Sequence, residues 1–246
     1  MDNTATYADR RGKTKFLAVV FGYLCIGLAI TAVVSFIFPY FFNLAYADPS
    51  QPYGYGQQAF IGLLVICGIS LVVSLIDSFV FMRALSKDRK GAWIPFLIYC
   101  VCMGIWPGAL LLLGVPVTLM GEAFGITSIV FVSMFLIGYF SKRDLSLMGT
   151  IAYGLLIGYL VCALVFGVWY LASPGTFFMW DLIASLIMVT FSMLMIGFEA
   201  NRMNRSLDFG TATNNTALYY AFSFYGDFIN IFLRVLYFLL LARNRR

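Results

Sequence analysis

Residues 217–241 read ALYYAFSFYGDFINIFLRVLYFLLL, an apolar run long enough to cross a bilayer and broken by few polar side chains. Tyr220, Ser223, Asp227, Asn230 and Arg234 recur in it at spacings of 3, 4, 3 and 4. On a helix these positions form one stripe, with Phe, Leu and Ile around the rest. A stripe that holds a carboxylate and a guanidinium cannot face lipid, so this helix is expected in the middle of a bundle that the rest of the chain must supply.

The remainder has the composition for it. Of 246 residues 62% are hydrophobic and 11% charged, and the mean hydropathy is +0.91. That is too little charge to cover a water-soluble surface. Six further runs of bilayer-spanning length lie at Phe16–Phe38, Ala59–Leu85, Ala92–Leu113, Val117–Phe140, Thr150–Ala172 and Trp180–Phe198. The predicted fold is all-α: a polytopic seven-helix bundle with the C-terminal helix central. It has an N-terminal arm (1–15), a membrane domain (16–241) and a basic tail (242–246). No internal repeat is evident, which disfavours a two-halved carrier.

Orientation follows from Lys and Arg. Twelve of them (Arg10, Arg11, Lys13, Lys15, Arg83, Lys87, Arg89, Lys90, Lys142, Arg143, Arg202 and Arg205) fall at one set of span ends. The alternate loops Pro39–Gln58, Leu113–Pro116 and Ser173–Met179 carry none. The N-terminus is therefore expected in the cytoplasm, which in a bacterium means a protein of the inner membrane. Arg243, Arg245 and Arg246 fit this pattern only if the last segment is re-entrant; seven full crossings place them outside.

The chain has no His, which excludes Ser-His triads, His-ligated metal and a histidine pH switch. Its five cysteines sit in apolar runs without a CxxC and read as small core side chains. No cofactor is implied, a bound metal is left open, and the clustered loop charges describe topology rather than nucleic-acid binding. Chemistry near neutral pH is left to carboxylates and thiols. Ionisable residues inside spans are costly, so Asp77, Arg83, Glu199 and Asp227 become candidates. Each also has a plainer reading. Asp227 can pair with Arg234 two turns on, Glu199 with Arg202 one turn on, and Arg83 can snorkel. Asp77 suits either an ion pathway or helix packing.

Four stretches resemble one family. EAFGITSIVFVSMFLIGYFSKRDLSLMG (Glu122–Gly149) and SFYGDFINIFLRVLYF (Ser223–Phe238) are similar to signatures of the Bax inhibitor-1, or transmembrane Bax inhibitor motif, family. FEANRM (Phe198–Met203) stands where that family has a Tyr-Asp pattern, and FMR (Phe81–Arg83) resembles the basic end of its second helix. The resemblance implies a pH-dependent calcium leak channel whose latch is an acidic pair, here Glu199 and Asp227, with Arg83 as basic partner. Glu199 replaces the family's Asp and sets its carboxylate one bond further out. The resemblance also implies an alternative, a non-transporting regulator of a membrane protease or of cell-death signalling.

The physics of such a pair needs no family. Two carboxylates close together in a poorly solvated site resist double ionisation and share a proton. Losing that proton replaces a hydrogen bond with repulsion. Contact requires the last helix to begin on the cytoplasmic side and Glu199 to turn inward. Asp48, Glu122 and Asp181 lie toward the other face, where they are expected to gather cations at a vestibule. Two membrane carboxylates also suit an intramembrane aspartyl protease. That class resembles Tyr-Asp with Gly-x-Gly-Asp, whereas this chain has Phe198-Glu199 and Phe224-Tyr225-Gly226-Asp227. The expected function is therefore not enzymatic, and the expected partners are the lipid bilayer, calcium ions and other membrane proteins.

Overall fold

The computed structural model describes residues 10–46, 57–87, 91–172, 178–209 and 213–244. These form α1 (Arg10–Tyr46), α2 (Gln57–Ser86), α3 (Trp93–Leu112), α4 (Val117–Phe140), α5 (Ser146–Ala172), α6 (Phe178–Asp208) and α7 (Asn214–Asn244), with no strand among the described residues. All seven are long and apolar enough to cross a membrane. Large apolar side chains such as Phe79, Ile129 and Leu164 are more than two-thirds exposed, which only a lipid environment tolerates. Polar side chains on exposed faces satisfy themselves locally. Ser128, Ser133 and Thr190 each donate to the carbonyl four residues back, so no hydroxyl there is left bare to hydrocarbon.

Three boundaries differ from expectation. Arg10–Lys15, read as an arm, are the first turns of α1. The tail residues Ala242–Asn244 continue α7. At its far end α6 runs ten residues past Phe198, because Glu199, Met203 and Leu207 recur on a buried face and keep the polar stretch helical. The question of the last segment also has an answer in helix geometry. α7 is one unbroken helix of 31 residues, about 46 Å long against a hydrocarbon core of about 30 Å, with no re-entrant turn. From Ala217 to Leu241 none of its residues is exposed.

The chain divides into two compact units. Among the described residues the first holds those within 14–117 and 213–225, and the second those within 10–13, 118–209 and 226–244.

In the first unit α1 and α3 meet at Gly104 and Gly108, a pair of glycines four residues apart that lets backbones approach. A Cβ on Gly104 would lie 2.7 Å from Val34, and one on Gly108 would lie 3.0 Å from the Ser35 carbonyl. That carbonyl is the one whose usual helical donor Pro39 lacks. Thr31 and Ser35 reinforce the crossing by donating to the Cys100 and Gly104 carbonyls at 3.2 and 3.0 Å, and the Tyr225 hydroxyl bonds Thr31. α3 closes in a Schellman turn: Val115 N–H reaches Leu110 O and Gly114 N–H reaches Leu111 O, both at 3.1 Å, with Gly114 at φ +85°.

In the second unit α4 and α6 touch backbone to backbone, since a Cβ on Gly138 would lie 2.1 Å from Gly197 O. Just beyond, two asparagines of α6 take up the carbonyls that end α4. Asn201 Nδ2 donates to Gly138 O at 3.2 Å and Ser141 O at 3.0 Å, and Asn204 Nδ2 donates to Tyr139 O at 3.1 Å. Gly149 at the start of α5 backs onto the Phe198 ring, where a Cβ would lie 2.8 Å away. Outside the helices, the Ser146 amide and then the Arg205 guanidinium, 3.0 Å away, hold the Asp144 carboxyl below its ordinary range. Lys13 forms an ion pair with Asp208.

Candidate functional site: a polar seam between two helices

α6 and α7 run antiparallel in the second unit, and each presents a polar row to the other. On α6 the row is Ser185, Ser192 and Glu199, one residue every seven, which is two helical turns. All three are buried, at 1%, 0% and 3% exposure. On α7 the row is Asp227, 8% exposed, with Asn230 and Arg234, both half-buried. The rows join in order. Arg234 Nη1 donates to Ser185 Oγ at 3.2 Å, and Asn230 Nδ2 donates to Ser192 Oγ at 2.7 Å. Glu199 is the charged neighbour of Asp227.

Arg234 bonds Ser185, and no ion pair joins it to Asp227 among the described residues. Arg202 is exposed while Glu199, three residues before it, is buried. Both carboxylates are buried. Phe228, the neighbour of Asp227, packs its ring against Phe124 and Phe131 of α4 at 5.4 and 5.8 Å.

The other expected residues are placed separately. Tyr220 and Ser223 lie on the part of α7 that belongs to the first unit. There Tyr220 is buried edge-on to Phe16, and Ser223 is half-buried. Asp77 is 7% exposed in α2 of the first unit, on a buried row with Ser70, Ser74 and Phe81. Its Oδ2 has no hydrogen-bond partner among the described residues. Arg83 is exposed in the last turn of α2, beside a cavity of about 110 Å³ lined by Val80, Ala84 and Lys87. Glu122 is exposed and shares a cavity of about 520 Å³ with Leu119, Leu239, Ala242 and Arg243, so a guanidinium stands on the same cavity as this acid. Asp181 is exposed in the first turn of α6, where the helix dipole favours a carboxylate. Asp48 lies outside the described residues.

Sequence reasoning missed the α6 half of the seam. The signal was there: Ser185, Ser192 and Glu199 repeat at seven, the period with which two helices meet along a shared line. It also missed Asn201 and Asn204, whose amides answer the free carbonyls of α4. Among the described residues no three Cys, Asp or Glu side chains stand close enough to hold a metal ion. The seam holds two buried acids, two serine hydroxyls, an amide and a guanidinium.

The chain resembles known bacterial proteins along nearly its whole length. An uncharacterized protein of Borreliella burgdorferi is 27% identical over 238 residues, 94% of each chain. An uncharacterized membrane protein of Streptococcus pyogenes is 27% identical over 229 residues, 92% of each. Inner membrane protein YbhL of Escherichia coli is 25% identical over 231 residues, again 92% of each. The family described as Inhibitor of apoptosis-promoting Bax1 matches residues 13–245. With seven membrane-length helices and a match that leaves only the chain ends uncovered, this multi-pass membrane protein belongs to the Bax inhibitor-1 family.

Proposed function

We propose that the protein is a pH-gated calcium leak channel of the bacterial inner membrane, closed while Glu199 and Asp227 share a proton and opened when that proton leaves. One observation carries the reading: two carboxylates, each more than nine-tenths buried, are charged neighbours on antiparallel helices. Such a pair resists double ionisation, so one proton ties α6 to α7 at low pH and repulsion loosens them at higher pH. Cations are drawn in at the outer ends of α4 and α6 by Glu122 and Asp181, together with Asp48. The twelve basic residues at one set of span ends favour a cytoplasmic N-terminus, and the name of the Escherichia coli relative, an inner membrane protein, supports the inner membrane. The reaction is permeation, with no enzymatic step.

The test is calcium flux into liposomes holding the purified protein, from about pH 6 to 8, the range a coupled carboxylate pair reaches, for the native chain and Asp227→Asn. Flux that rises with pH in the native protein and loses its pH dependence in the variant is the expected result. No flux above empty liposomes at any pH overturns the channel. The family's description names action on another protein, which supports a second reading as a non-transporting regulator acting through protein contacts, for instance on a membrane protease. In that case Asp227→Asn leaves the cellular phenotype intact, and changes in residues 2–15 abolish it.

A further inference from the structure

Arg243 breaks the charge pattern that orients the chain. In the second unit Lys142, Arg143, Arg202 and Arg205 stand where α4 and α6 end, whereas Arg243 stands in the last turn of α7, which runs antiparallel to α6 and so ends on the other side. A cavity of about 520 Å³ lies beside it, lined by Leu119 and Glu122 from the first two turns of α4 and by Leu239, Ala242 and Arg243 of α7. That is the size of a small-ligand cleft, about 300–1,000 Å³. Its walls are of two kinds. Leu119 is buried and Leu239 half-buried, while Glu122 and Arg243 are exposed. No ion pair joins this carboxylate to this guanidinium among the described residues, so two opposite charges border one space without neutralising each other. At the ends of two membrane-length helices, the space lies where hydrocarbon gives way to water.

We propose that this cavity binds a phosphoethanolamine phospholipid, with the lipid phosphate on Arg243, its ammonium on Glu122 and the start of its chains along Leu119 and Leu239. The charges select the headgroup. A guanidinium fork matches phosphate oxygens, and a carboxylate accepts hydrogen bonds from the three N–H donors of a primary ammonium. A free anion would meet Glu122 as a like charge and a free cation would meet Arg243 as one, so the space suits a ligand that carries both signs. A choline headgroup has no N–H to give Glu122, and a phosphoglycerol headgroup has no positive charge. The apolar walls and the position at the membrane boundary favour a lipid over a soluble zwitterion. Both charged side chains are exposed, so each contributes about a two- to fivefold preference.

Binding of this lipid requires neither proton sharing nor calcium permeation, and its test needs no flux. The purified protein in detergent micelles is equilibrated with equal amounts of phosphatidylethanolamine, phosphatidylcholine and phosphatidylglycerol, and the lipids it retains are counted by native mass spectrometry. The ethanolamine lipid is expected in excess over each of the others by about two- to fivefold. That excess should fall in Glu122→Gln and in Arg243→Gln, both exposed positions where substitution spares the fold, and should stay native in Arg202→Gln at the opposite end. Soluble glycerophosphoethanolamine at the same concentration should leave the lipid in place. Equal retention of the three lipids, an excess that survives both variants, or an excess of phosphatidylglycerol lost only in Arg243→Gln overturns the proposal. Displacement by the soluble headgroup overturns it as well, since the apolar walls would then hold nothing.

Discussion

Gly138→Ala adds one methyl group at the place where α4 and α6 have no room for it. The new Cβ would lie 2.1 Å from Gly197 O and 2.8 Å from the Gly197 Cα and carbonyl carbon, all backbone atoms that no rotamer change can clear. Carbon and carbonyl oxygen approach to about 3.3 Å at closest, so the helices must part by about 1 Å. That stretches the Asn201 bonds to Gly138 O and Ser141 O, now 3.2 and 3.0 Å, past useful length. Overpacking costs about 1–3 kcal/mol and each lost bond about 1 kcal/mol, so the expected loss is about 3–5 kcal/mol, a large part of a typical folding free energy. Unfolding in mixed detergent micelles measures it, with two controls. Gly197→Ala meets only the flexible ends of Met134 and Met148 at 3.5 Å and the Met134 carbonyl at 3.8 Å, and should be nearly neutral. Gly125→Ala on the same α4 meets nothing within 4 Å and should stabilise by about 0.5–1 kcal/mol. A Gly138→Ala protein within about 0.5 kcal/mol of native would refute the contact and the energetic reasoning built on it.

Three further outcomes are expected. Asn201→Leu leaves the carbonyls at the end of α4 without their donor and should cost about 2–3 kcal/mol in the same unfolding assay, with faster amide exchange at Leu145, whose N–H bonds Asn201 Oδ1; native-like exchange at that amide would contradict it. Asp77→Leu removes a buried carboxylate oxygen that has no partner among the described residues, so stability should rise by about 1–3 kcal/mol while calcium flux falls. Unchanged stability would show the carboxylate to be solvated. The combined Asp48→Asn, Glu122→Gln and Asp181→Asn variant should conduct less calcium at every pH and keep the native pH midpoint. A shifted midpoint would mean that these acids belong to the latch, and unchanged flux would reduce them to surface and helix-start charges.

Hydropathy made all seven helices legible, because about 20 apolar residues in a row have few other uses. It misjudged their ends where the chain leaves lipid but stays buried in protein: Glu199, Met203 and Leu207 extend α6 through a stretch whose average polarity reads as loop. The stripe on α7 was visible because Asp and Arg are rare in membrane helices. Its partners Ser185 and Ser192 were not, since a serine that bonds its own helix and one that bonds a neighbour look alike in a sequence. The first two members of the stripe belong to one compact unit and the last three to the other. Nothing in the sequence singles out Gly138 among 22 glycines, because what distinguishes it is the backbone of Gly197, 59 residues later.

The joint between α4, α5 and α6 limits how the second unit can move. α4 and α6 are fastened at the Gly138–Gly197 contact and again where Asn201 and Asn204 grip the end of α4, and α5 is fastened to α6 where Gly149 meets Phe198. Two separated fastenings leave a pair of rods only a rotation about the line between them, and a third off that line removes even this. Whatever separates Glu199 from Asp227 therefore carries α4 and α5 along with it. The freedom left in this unit is that of α7 sliding along a seam whose fasteners are hydroxyl and amide bonds, which can break and re-form a turn away, as a contact between two glycine backbones cannot.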